Sequence, residues 1–253
     1  MGANGAEVIE VATRANRQHW TDDTLLHRLT DGEAGSRVIA IDAPLTQTAC
    51  GRCERPVCPG MEACADPSVV WLRTTGRGLM RKVSAATVGG AARPQQQPAQ
   101  ARLAPYSHRA TEVVMHYERG LLPLSSLGST TGAVAARATQ LRRRLRGAGY
   151  QLHENLLEVS PQATIAALCG AKAARGYKRD ADPWRTRAVI LEQLGDLSFA
   201  PQSRMAREDV LGNDHCFDAV ISAYTAYLWA RDGWTAPEGW VADDGWIFAP
   251  PQT

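Results

Sequence analysis

Short apolar strands interspersed with amphipathic helices predict an α/β protein: a mixed sheet flanked by helices. Three observations carry this expectation. VIAID (38–42) and LLEV (156–159) are apolar runs without polar alternation, as expected of strands covered on both faces in a partly parallel sheet. DHCFDAVISAYTAYLWARDGW (214–234) puts Phe217, Val220, Ile221, Tyr224 and Leu228 on one helical face. A chain of 253 residues is long enough to bury a sizeable core, and no internal repeat divides it.

In chain order, GAEVIEVAT (5–13) is rich in β-branched residues and predicts a strand. Thr21 or Asp22 then caps a short helix through Leu25, Leu26 and Leu29. VIAID follows, then a loop with four cysteines between Cys50 and Cys64. Residues 84–105 are Ala, Gly, Pro and Gln with almost no bulky apolar side chains, so a mobile insertion within one domain of residues 1–253 is expected. RATEVVMHYERG (109–120) predicts a helix, and GAVAARATQLRRRLRGAG (132–149) a longer one. In the longer helix Val134, Ala138, Leu141 and Leu145 share a face, with Arg142, Arg143 and Arg146 off it. After LLEV, Pro161 suits the first turn of a helix through Ile165 and Leu168, closed by Gly170. DPWRTRAVILEQLG (182–195) predicts another helix, with Val189, Ile190 and Leu194 as its apolar residues.

Hydrophobic content of 44% beside 21% charged residues excludes wholesale disorder. A formal charge of +2 gives no argument for a polyanion partner, but its distribution does. Residues 131–180 carry nine basic and three acidic side chains; residues 201–253 carry three basic and eight acidic ones. No apolar run reaches a membrane span and none resembles a signal peptide, so the expected compartment is the cytoplasm. Thiols stay reduced there, and a tight cysteine cluster reads as a metal site before it reads as disulfides. Cys169 and Cys216 stand alone in apolar company and are expected to be structural.

Asp214 and Asp218 are four residues apart, one turn from each other on a helical face. Like charges so placed cost roughly 0.2–0.5 kcal/mol unless a cation compensates. Asp42 and Glu158 stand at the ends of the two apolar strands. If the four converge, the oxygen-rich site suits Mg²⁺ or Mn²⁺, and such ions activate water in phosphodiester cleavage. Structural alternatives stand beside this. Asp42 before Ala-Pro suits a turn, Asp214 suits a helix N-terminus, and Glu158 suits an arginine partner.

VIAIDAPL, RATEVVMHYERGLLPLS, LLEVSPQATIAALCG, GYKRDADPWRTRAVILEQL, NDHCFDAVISAYTAYLWARDGW and DDGWIFAP occur here in one order. In that order they resemble a family of predicted nucleases with a ribonuclease H-like fold, usually described only as a domain of unknown function. The likeness runs from about residue 6 to residue 250. It implies that Asp42, Glu158, Asp214 and Asp218 are the metal-holding, catalytic carboxylates, and that the substrate is DNA or RNA. The late acidic helix is also similar to that of Holliday-junction resolvases. Ser160 departs from the family's usual aromatic residue, and no acid in GAEVIEVAT matches the aspartate on the family's first strand.

Cys50-x₂-Cys53-x₄-Cys58-x₅-Cys64 is close to zinc-knuckle spacing, with cysteine in the histidine position. Four thiolates in so short a loop suit a closed Zn²⁺ site; a [4Fe–4S] cluster is the second choice. Beside a nuclease-like site such a loop is expected to hold substrate. Lys178 and Arg179 match a basic family motif and, with Arg142 and Arg146, are the candidate nucleic-acid contacts, although a solvated basic face accounts for the arginine run equally simply. A non-catalytic nucleic-acid-binding protein is the alternative to the enzyme. Trp240, Trp246 and Phe248 are candidates for base stacking or, more commonly, for closing a core.

Overall fold

A computed structural model describes residues 5–14, 17–79, 103–120, 131–203 and 205–251. It is mixed α/β, with helices beside short parallel strands, and the chain divides into two compact units.

The first unit comprises residues 1–43, 140–235 and 247–253. Strand β1 (Ala6–Val8) pairs in parallel with β4 (Leu197–Phe199). A second sheet runs β2 (Ile39–Ile41), β3 (Leu156–Val159), β5 (Ile247–Phe248). Its pairings are also parallel, with Ile41 opposite Glu158 and Glu158 opposite Ile247. Among the described residues, then, every strand pairing is parallel where a mixed sheet was expected. All four residues of β3 are buried, which explains why this strand shows no polar alternation.

The helices of this unit begin where their caps predict. Thr21 caps α1 (Asp22–Thr30), accepting from the Thr24 amide at 3.2 Å. Ser160 caps α5 (Pro161–Gly176), which follows α4 (Gly132–Gly147) and has proline in its first turn. Asp182 caps α6 (Pro183–Gln193), and Asn213 caps α8 (Asp214–Asp232), which follows α7 (Arg207–Gly212). Gly233, in the left-handed conformation, ends α8.

The core forms where α5, α6, α7 and α8 meet. Phe217, Val220, Ile221, Tyr224 and Leu228 pack with Ile165, Ile190, Leu191, Val210 and Leu211. Burying a side chain such as Phe217 contributes roughly 1.5–3 kcal/mol. Cys216 is buried in this core and Cys169 packs against it, as isolated apolar cysteines should. Three expectations need correction. Val134 on α4 is 51% exposed, whereas Ala138, Leu141 and Leu145 are buried. Leu168 and Val189 are likewise exposed, since the buried stripes of α5 and α6 are narrower than their apolar residues. Gly170, at φ +87°, breaks α5 without closing it, and the helix resumes to Gly176.

The second unit comprises residues 44–139 and 236–246. Helix α2 (Pro67–Trp71), capped by Asp66, runs into a π-helical turn over Leu72–Gly76. With α3 (Ala110–Arg119) and α9 (Val241–Asp244) it surrounds a small core of Leu72, Ala110 and Val113, lined by Trp71, Leu103 and Trp240. Beside that core lies a buried ionic network. The Arg109 Nε donates to Glu112 at 3.1 Å and its Nη1 to the Thr46 hydroxyl at 2.8 Å. The Asp244 carboxylate accepts from the Ala110 amide and, at 3.1 Å, from Arg52. Of the expected insertion, residues 84–102 lie outside the described residues. Its last three residues are packed: Leu103 joins the core, and Ala104 and Pro105 are buried.

Candidate functional site

Asp42 follows β2 directly, at the carboxyl end of a parallel strand, where open α/β sheets present their ligand sites. The adjacent strand β3 carries Glu158, buried and in register with Ile41. Helix α8 packs against both strands and brings in Asp218, which is only 7% exposed. Asp42 and Asp218 line one open cavity of about 660 Å³, together with Ile41, Leu141, His215 and Ser222.

The electrostatics of this cavity are unusual. The Asp42 carboxyl is reached by solvent, yet the concave protein wall around it thins its hydration. That desolvation, then the negative charges of Asp218 and Glu158, push its pKa up to about 7; Lys178 opposes them. Among the described residues nothing donates a hydrogen bond to the Asp42 side chain. Asp218, by contrast, accepts from the Tyr177 hydroxyl at 3.0 Å and from Lys178 Nζ at 2.5 Å. Burial and the Asp218 charge push the Tyr177 phenol upward, so it stays a proton donor. One turn beyond Asp218, Ser222 is 5% exposed, and its hydroxyl has no hydrogen-bond partner among the described residues.

The remaining candidates are placed differently. Glu158 also faces Arg142 and His153: it favours the charged form of each, while burial pushes both pKa values down. His153 has φ of +71°, rare for a residue with a side chain. Asp214 is half-buried in the first turn of α8, and its charge acts on Tyr177 and Cys216. Asp42 therefore feels the charges of Asp218 and Glu158. Among the described residues, no group of three or more His, Cys, Asp or Glu side chains is arranged to hold a metal ion.

The expected nucleic-acid contacts do not share a common role. Lys178 is half-exposed and paired with Asp218, and Arg179 is exposed. Arg142 is half-buried near Glu158, Arg146 is exposed, and the intervening Arg144 pairs with Asp23 at 2.6 Å. Of the aromatics, Phe248 is buried edge-on to Trp229 and His153. Trp240 packs on Trp71 at 5.1 Å and on Trp246 at 6.1 Å between ring centroids. Phe248 and Trp240 thus pack in cores, while Trp246 is half-buried beside Trp240. Cys50, Cys53 and Cys58 are exposed, Cys64 is half-buried, and all four are free thiols.

Sequence reasoning passed over Tyr177, His215 and Ser222. Tyr177 stands in the quoted basic motif beside Lys178, and Ser222 continues the four-residue spacing of Asp214 and Asp218. That spacing was the one signal that could have found Ser222. No described helix is long and apolar enough to cross a membrane.

No curated protein and no solved structure matches the chain. A family model described as "Protein of unknown function (DUF429)" matches residues 5–239, nearly the whole length, and the chain belongs to that family.

Proposed function

We propose that the chain is a nuclease-like hydrolase of ribonuclease H-like fold, dependent on Mg²⁺ or Mn²⁺ and acting on phosphodiester bonds in DNA or RNA. The observation that carries this reading is Asp42: a carboxyl with two acidic neighbours and no described donor, pushed up to about 7 at an open cavity. A structural aspartate finds a donor. One whose neighbours are carboxylates waits for a proton or a cation.

The residues present fit a hard cation. The donors are carboxylate oxygens, and Ser222, whose buried hydroxyl has no partner among the described residues, lines the same cavity. Magnesium usually takes one or two carboxylates and keeps several waters, so Asp42 and Asp218 suffice to hold it, with Glu158 adding charge. Bound there, the ion would supply Lewis-acid stabilisation and a more acidic water. Tyr177 fixes the orientation of Asp218. Lys178, 38% exposed, is placed to exchange its pairing with Asp218 for a substrate phosphate once a cation compensates that carboxylate. Asp42 gives up its proton near neutrality.

The test is cleavage of labelled single- and double-stranded DNA and RNA with Mg²⁺ or Mn²⁺. Asp42→Asn and Asp218→Asn should each lower the rate on the order of 100-fold or more, equivalent to several kcal/mol of transition-state stabilisation. Binding without cleavage by a folded, metal-loaded wild-type chain would instead assign a nucleic-acid-binding role.

A further inference from the structure

The cysteine loop lies in the second unit, and its two ends are built differently from its middle. At the first end, the Gly51 amide donates to the Thr48 hydroxyl at 3.2 Å and the Arg52 amide to the Thr48 carbonyl at 3.2 Å. The Cys53 amide then reaches back to the Cys50 carbonyl at 3.4 Å. A Cβ on Gly51 would stand 3.1 Å from the Thr48 hydroxyl, so glycine permits this close turn. The turn leaves both thiols exposed while Arg52 between them points inward. Its guanidinium is held by the Gln47 carbonyl, Asp66, Ser68 and Asp244. At the second end, Arg73 donates to the carbonyls of Met61 at 3.0 Å and Cys64 at 2.7 Å, and Asp66 caps the helix that follows.

Between these clamps nothing of the ordinary kind organises the chain. Residues 53–60 are all exposed, and Val57 is 78% exposed. Ordering eight residues without burial costs backbone entropy on the order of 1–2 kcal/mol each. Yet the clamps at either end confine Cys50, Cys53, Cys58 and Cys64 to this one short segment. The exposed middle of the loop, held only at its two ends, has no core of its own. A tetrahedral ion supplies one.

We propose that Cys50, Cys53, Cys58 and Cys64 bind one structural Zn²⁺ per chain. Zn²⁺ suits four thiolates in a closed tetrahedron. The net negative charge of such a centre is offset in part by Arg73, which is fixed on the Cys64 carbonyl. Zinc is favoured over an iron–sulfur cluster because three of the four sulfurs face water, where a redox-inert ion is the more durable occupant. The exposed middle of the loop provides the slack to draw the sulfurs together on binding.

The probe is Zn²⁺ alone, added to the full chain after chelation under reducing conditions. Iodoacetamide labelling read by mass spectrometry should show Cys50, Cys53, Cys58 and Cys64 protected by zinc, with labelling of Cys169 and Cys216 unchanged. Cys53→Ser and Cys58→Ser should each weaken zinc binding by at least the about 10–100-fold seen for outer-shell changes. Labelling of the four thiols that zinc leaves unaltered would overturn the proposal. So would anaerobically purified chain that carries iron and acid-labile sulfide in place of zinc. The wild-type labelling needs no variant to fold, so the proposal stays testable if the serine variants aggregate.

Discussion

The Tyr177 hydroxyl donates to Oδ1 of Asp218 at 3.0 Å, while the next residue, Lys178, holds Oδ2 of the same carboxylate at 2.5 Å. Two successive residues thus fix both oxygens of an aspartate about forty positions away. Tyr177→Phe is expected to cost about 1.5–3 kcal/mol, the range for a hydrogen bond to a charged group, because Asp218 stays buried after losing the donor. Urea denaturation at neutral pH measures this. A loss below about 0.5 kcal/mol would show that the hydroxyl does not hold Asp218.

The Asp42 shift sets a pH dependence with a definite sign. Its folded pKa, about 7, lies above the ordinary 3.8, so between these values the folded state holds a proton that the unfolded state has released. Metal-free stability should therefore fall as pH rises from about 4 to about 7 and level off above that. Asp42→Asn should lack this component, so its stability relative to wild type should rise through the same window. Denaturant midpoints of the two proteins at several pH values test it; parallel curves would refute the shift.

Much of this arrangement was legible in the sequence because long periodic segments report their own burial. The nineteen residues of α8 carry a stripe from Phe217 to Leu228 that the core reproduces, and the buried β3 advertised itself by lacking alternation. Strands β4 and β5 have three and two residues, too few for any period. Local pattern also misread Gly170, since a glycine of positive φ looks the same in sequence whether it ends a helix or kinks one. At the site, the charged residues were visible as charges, but the contact between Tyr177 and Asp218 joins separate elements and leaves no trace in spacing.

Ser222 gives a prediction with opposite signs in two conditions. Its buried hydroxyl has no described partner, so Ser222→Ala should leave metal-free stability unchanged or raise it by up to about 1 kcal/mol. If the hydroxyl serves a ligand in the cavity, the same variant should show a smaller rise in melting temperature with Mn²⁺ than wild type does. Equal rises in both proteins would remove Ser222 from the site.

The network of the second unit should behave as structure alone. Arg109 and Glu112 are 1% and 2% exposed and pair with each other, so removing one takes a charged partner from a buried charge. Glu112→Ala is expected to cost about 3–5 kcal/mol in thermal or chemical unfolding. Arg109→Met with Glu112→Leu should cost less than the sum of the single changes, because the interaction the two share is then lost only once. Additive losses would contradict the coupling.

The central claim is that Asp42 and Asp218 share a divalent cation, and calorimetric titration of the full chain with Mn²⁺ tests it most directly. At about pH 6.5 the Asp42 carboxyl is still largely protonated, so binding must expel a proton, and the heat should vary with the ionisation enthalpy of the buffer. The expected result is saturable binding with proton release in wild type, abolished in both Asp42→Asn and Asp218→Asn. Absence of binding, or binding that persists unchanged in both variants, would contradict the account.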